Sequence, residues 1–293
     1  VTDCPSDNGN LISVRSTAQF TMTGGSVDNL IKVGDELYTS LQDAINATNG
    51  TKADPTTIII MGDMTLDRPV TVTGKHIVLT SNAKHTITLN IIESNFTDDD
   101  PTRTNCISIG GNSSLEINAG NLTITTSNIA LRSLVNVGGK NSYFHLEGGT
   151  LCSGGANLAK AIVCLDNNAA FEMSGGVIRG NHSHQSRGVI LQSYKAPGIT
   201  FTMSGGRIED CHVTTDADFF SSGGGVSIIG SCPAAFAMTG GTISGCSATN
   251  GGGVCVNGGT FNMNGGAISE CSAKGNGGAV YVNNGSDNAA VFN

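Results

Sequence analysis

The side chains best suited to bind or transform a ligand gather in one stretch of this 293-residue sequence. His182 and His184 are followed by Tyr194 and Lys195, and His212 opens the run HVTTDADFFSS, which carries Asp216, Asp218, Phe219 and Phe220. Imidazoles beside carboxylates can pass protons or hold a metal, adjacent aromatic rings can stack on a ligand, and a lysine can meet an acidic group. A structural reading stands against it: histidines stacked on the surface and phenylalanines folded back onto the body of the protein. Function is usually grafted on loops held by a rigid scaffold. These residues therefore form the candidate ligand-binding set, with none assigned as catalytic, none as a metal ligand, and no cofactor expected.

Two further sets bear on chemistry. Glu209, Asp210, Asp216 and Asp218, with Lys195, are the densest ionisable group. Glycoside hydrolysis needs two carboxylates about 5–9.5 Å apart across a bond, and elimination needs a base plus a group that neutralises a uronate. Arg179 and Glu209 occupy equivalent positions in neighbouring repeats, as a surface ion pair or an acid–cation pair. Asp98, Asp99 and Asp100 supply oxygens suited to Ca²⁺, but three consecutive carboxylates cannot all point inward, and a solvated loop accounts for them too.

The elements that must position these residues are written in repeats. FHLEGG at 144, FEMSGG at 171, FTMSGG at 201, FAMTGG at 236 and FNMNGG at 261 are copies of one unit. A weaker copy, LEINAGNL, starts at 115, and an isolated one, FTMTGGSV, starts at 20. The starts from 115 onward are 29, 27, 30, 35 and 25 residues apart. Spacing is strict within copies and drifts between them, as in a solenoid with fixed strands and variable loops. The first and third residues alternate with polar ones, so they share a strand face. Gly-Gly then turns the chain. Leu122, Leu151, Ile178, Ile208, Ile243 and Ile268 follow seven residues after each start, and GGGVSI (223–228), GGGVCV (251–256) and GGAVYV (277–282) supply a third strand.

Stacked at roughly 4.8 Å per rung, such strands predict a right-handed, single-stranded parallel β-helix of the pectate-lyase-like kind, an all-β solenoid. Cys211, Cys246 and Cys271 each fall ten residues after their Phe and should stack, as a buried column of free thiols or as disulfides between rungs. Cys255, at the outward position of VCV, reads as an exposed thiol.

Before the repeats, Leu37, Leu41, Ala44 and Ile45 form a helical stripe, and Thr39-Ser40-Leu41-Gln42 fits a capping box. Residues 33–50 are thus expected to be a capping helix, 1–32 an extension or flanking strand, and 51–293 the β-helix, regular from 115. The chain stops at Val291-Phe292-Asn293 on the start of another copy, so the native protein is expected to continue. It opens VTDCPSDNGN, which reads as a processed or excised piece.

Composition agrees. The 41 glycines are about twice the usual share, and charged residues, at 13%, about half of it. A net charge of −8 without a basic cluster argues against nucleic acid, and no apolar run is long enough for a membrane helix.

The FxMxGGxI…GGGVxV pattern resembles the glycine-rich β-helix repeats of bacterial surface proteins, including polymorphic outer-membrane proteins, autotransporter passenger domains and repeat adhesins of gut bacteria. Gly265-Gly266-Ala267-Ile268 matches the GGA[ILV] signature of polymorphic outer-membrane proteins and Phe261-Asn262-Met263-Asn264 their FxxN, while most other copies depart from both. The resemblance spans roughly 115–293 and carries no catalytic motif. It implies an exported, extracellular or cell-surface bacterial protein, an adhesin or stalk. Host glycan or glycoprotein is the expected partner, through loops 181–187, 192–200 and 212–222. The alternative is a polysaccharide lyase or glycoside hydrolase on the same scaffold. An uncapped last rung also predicts end-to-end self-association.

Overall fold

The computed structural model describes residues 10–13, 31–91, 104–127, 130–154, 156–180, 186–193, 198–213, 222–231, 233–284 and 289–293. Within them the chain is nearly all β, and its short strands stack in parallel as a β-helix solenoid. Each regular coil has three faces. The FxM strand forms the first, as in Tyr143–Leu146 and Ala170–Met173. The strand after the Gly-Gly corner forms the second, as in Val177–Arg179. The GGGV-type strand forms the third, as in Val226–Ile229. Eight strands make up the third face, and the first two belong to one eighteen-stranded sheet because Ala234–Ser244 and Gly259–Ser269 run through the corner unbroken.

Register is set by period-2 burial, since a one-residue slip would turn every core side chain outward. Ile77, Leu115, Phe144, Phe171, Phe201, Phe236, Phe261 and Phe292 pair in one column of the first face. From Phe144 to Phe292 the rings stack with centroids 4.5–5.0 Å apart, close to the rung spacing itself. The five rings from Phe144 to Phe261 are buried and contribute on the order of 1.5–3 kcal/mol each. The second-face column runs Ile87, Ile124, Leu151, Ile178, Ile208, Ile243, Ile268. Here the sequence spacing misleads in one coil. Leu122 pairs with His85, and the column member is Ile124, because the corner of the LEINAG copy is two residues longer.

The corner glycines are required by backbone crowding. A Cβ at Gly205 would stand 2.2 Å from the carbonyl oxygen of Ser174 on the preceding coil, and at Gly206 2.6 Å from the methyl of Met173. Gly206 also has φ +79°, a conformation that other residues rarely adopt. A second exchange of volume occurs at the third face. One residue before the paired valines Val135, Val163, Val189, Val226 and Val254 stand Leu134, Ile162, Gly188, Gly225 and Gly253. A Cβ at Gly225 would lie 2.5 Å from Ile243 Cγ2 and 3.5 Å from Cys246 Sγ. The later coils fill this corner with isoleucine and cysteine, whereas buried Leu134 and Ile162 fill it in the earlier ones.

The helix is shorter than the 33–50 stretch. It spans Leu41–Ala47, and Leu37 sits instead on the strand Glu36–Tyr38. Ser40 is the cap, its hydroxyl accepting from the Asp43 amide, so Thr39 and Gln42 do not form the capping box. The Gln42 side chain reaches across to the Thr71 amide, 2.8 Å away. Leu41, Ala44 and Ile45 are buried in the main core. Ile31–Val33 pairs antiparallel with Thr56–Ile60, covering the edge on which the parallel stack begins.

Candidate functional site

Of the ligand-binding set read from the sequence, His212 is described. His182, His184, Tyr194, Lys195, Asp216, Asp218, Phe219 and Phe220 lie outside the described residues, as do Asp98, Asp99, Asp100 and the FTMTGGSV copy. The His212 backbone exchanges hydrogen bonds with Ser186 at 2.8 and 3.1 Å, and its Nδ1 lies 2.6 Å from Ser247 Oγ. The imidazole is therefore held between neighbouring coils, which is the rung-stacking arrangement.

Glu209 is committed in the same way. Its register partner is Arg179, whose Nε donates to Oε1 at 2.7 Å, and Arg207 Nε donates to Oε2 at 3.0 Å. Burial pushes the carboxyl up, but the two arginine hydrogen bonds outweigh it and hold it below the usual carboxylate range. A carboxylate kept ionised by two guanidinium groups cannot serve as a general acid near neutrality.

Cys211, Cys246 and Cys271 are free thiols on successive coils, and the Cys246 thiol donates to the Ser244 carbonyl at 3.3 Å. Cys255 points outward as expected but is fully buried, which corrects its reading as an exposed thiol. The outer side of the third face is itself buried at these rungs, with Cys164, Ile190 and Ser227 enclosed too. Arg187 lies on the same side, donating through Nε to the Ser222 carbonyl at 3.2 Å and through Nη1 to the Lys160 carbonyl at 3.0 Å. Burial pulls its pKa down to about 10. Nearby, Arg132 pairs with Asp166 at 3.1 Å. These contacts brace adjacent coils.

The array that sequence reasoning passed over lies on the exposed side of the first face. Glu116, His145 and Glu172 occupy the same outward position of successive coils and pair in register. Glu116 Oε2 is 3.4 Å from His145 Nδ1, and His145 Nε2 is 2.8 Å from Ser174 Oγ. Tyr143 donates its phenol to Glu172 Oε2 at 2.7 Å. Burial pushes the phenol pKa up, reinforced by that hydrogen bond and by the charges of Glu172 and Glu116, so Tyr143 stays a proton donor. The signal was present in the second residue of each FxM copy: Glu, His and Glu in three successive coils, then Thr202, Ala237 and Asn262. Glu116 and Glu172 are two rungs, about 9.5 Å, apart along the axis. They project side by side from one flat face rather than from opposed walls. Among the described residues no group of three histidine, cysteine or acidic side chains is arranged to hold a metal ion.

The fold thus defines the chain as a parallel β-helix solenoid with a polar ladder on its first face. Comparison with protein-family models, curated proteins and solved structures finds no match.

Proposed function

We propose that this chain is a non-catalytic β-helix module of a bacterial surface protein, an adhesin or stalk that binds host glycan or glycoprotein. The observation that carries this reading is the disposition of its carboxylates. Glu209 is neutralised by Arg179 and Arg207, and Glu116 and Glu172 share one column of one face, tied to His145 and Tyr143. Hydrolysis needs two carboxyl groups flanking a bond, and this arrangement offers a flat, hydrogen-bonding surface instead. Repeated coils also extend such a surface at little structural cost, because each contacts only its neighbours.

The alternative, a polysaccharide lyase or glycoside hydrolase, draws on the Glu116–His145–Glu172 column, where an imidazole stands between two carboxylates. Incubation with a panel of acidic and neutral polysaccharides separates the two. No new reducing ends and no unsaturated uronate absorbance are expected. Product that disappears in Glu172→Gln would replace the adhesin reading with the enzyme one.

A further inference from the structure

Next to the Tyr143 ring, where the chain turns from the third face into the first, the surface sinks into an open depression of about 440 Å³. Lys52, Lys140, Asn141, Tyr143 and Asn168 line it. Both lysines sit on ordered turns. Thr51 and Asp54 exchange backbone hydrogen bonds at 3.0 and 3.2 Å around Lys52, and the Ser142 amide closes onto the Gly139 carbonyl at 3.2 Å beside Lys140. Asn141 and Asn168 occupy the left-handed region, with φ of 61° and 60°. Asn141 is further fixed by a 2.8 Å bond to Asn112.

The chemistry of the lining is selective. Two ammonium groups that pair with no acidic side chain among the described residues face one depression, on a chain whose net charge is −8. A half-buried phenol ring offers a flat apolar surface with a polar edge, and two amides offer both donors and acceptors. Glu172 is not part of the lining. It accepts the Tyr143 hydroxyl and so orients the ring.

We propose that this depression binds an anionic sugar unit of an acidic glycan, with the sugar ring against Tyr143 and its carboxylate or sulfate between Lys52 and Lys140. The proposal rests on the glycan-binding reading given above and names for it a ligand class and a site centred on Tyr143 and the two lysines, bordered at Asn168 and Ala170 by Gly198 and Thr200 of the 192–200 segment. Exposed charge pairs are individually weak and screened by salt, so binding is expected to be salt-sensitive and to need the ring contact as well.

The test is calorimetric titration of the full chain with a galacturonate hexamer, a chondroitin sulfate hexasaccharide and a neutral dextran oligomer, at low and at about 0.3 M salt. At least one acidic probe is expected to bind, more weakly in high salt, and the dextran is not. Which acidic probe binds distinguishes carboxylate from sulfate. Lys52→Glu with Lys140→Glu is expected to weaken binding by about tenfold or more, as is Tyr143→Leu, while Tyr143→Phe keeps the ring and stays within about threefold. Unchanged melting of each variant shows that the fold is intact.

Acidic-probe binding that survives the double charge reversal, or a neutral probe that binds as well as the acidic ones, would overturn the proposed site and leave the adhesin reading in place. No binding to any of these probes, or to a broad glycan array, would overturn both.

Discussion

The rings of Phe201 and Phe236 lie 35 positions apart in sequence yet stack with centroids 4.5 Å apart and planes 7° from parallel. They are the closest pair in a column that the solenoid builds from one residue per coil. Truncating either removes a ring packed on both faces, where surrounding strands cannot collapse to fill the space. Phe201→Ala is expected to cost about 3–5 kcal/mol, read as a lower urea midpoint. Loss of less than about 1 kcal/mol would mean that the column adapts.

Glycine substitutions should divide sharply by position. Gly206→Ala places a methyl 2.4 Å from the Gly175 carbonyl oxygen at φ +79°, and is expected to destabilise by about 1–3 kcal/mol or more. Gly120, whose Cβ would meet nothing within 4 Å and whose φ is not positive, should tolerate alanine and gain up to about 1 kcal/mol from the less flexible unfolded chain. Thermal melting of the two variants side by side checks the contrast.

The Arg179–Glu209–Arg207 group makes stability depend on pH in a definite direction. The Glu209 pKa is lower in the folded protein than in the unfolded chain, so the group's contribution is fully present above the unfolded value, about 4.3. It is lost as pH falls through the folded value. Because Arg179 is about half exposed, each pair is worth under about 1 kcal/mol. Glu209→Gln should therefore melt slightly below the parent at pH 7, with the difference closing in acid. A difference that widened as pH fell would contradict the assignment.

Thiol reactivity gives an independent reading of the core. Burial raises Cys106 and Cys164 to about 12 and Cys255 to about 11. Since the thiolate is the nucleophile, these three are expected to resist alkylation at pH 8 until the protein unfolds. Half-buried Cys152 should react ahead of them. Mass spectrometry of timed alkylation reports the order, and early modification of Cys255 would show that the outer side of the third face is open after all.

Much of this fold was legible in the sequence because a solenoid uses local rules repeatedly. Alternation in FxM placed Phe171 and Met173 inward, and Gly-Gly marked the corner. The errors arose where a local rule met a non-local contact. The stripe through Leu37 reads as helical by spacing, but Leu37 lies on a strand, and its neighbour Tyr38 is the residue that joins Leu41, Ala44 and Ile45 in the main core. Leu122 was misassigned because spacing counts residues, whereas register follows hydrogen bonds that a longer corner shifts by two.

For the candidate site the balance is reversed. By itself the sequence determined which residue types repeat, which side of each strand they take and hence that coils must stack, since a strand too short to bury its own face has to share it with a copy. Only the tertiary structure decided that Cys255 is enclosed while facing outward, and that Glu116, His145 and Glu172 form one column. It alone set Lys52, on the turn after the helix, beside Lys140 and Tyr143. The physical reason is that burial and proximity across coils depend on loops of unequal length. Their path is fixed by packing, not by any period in the chain.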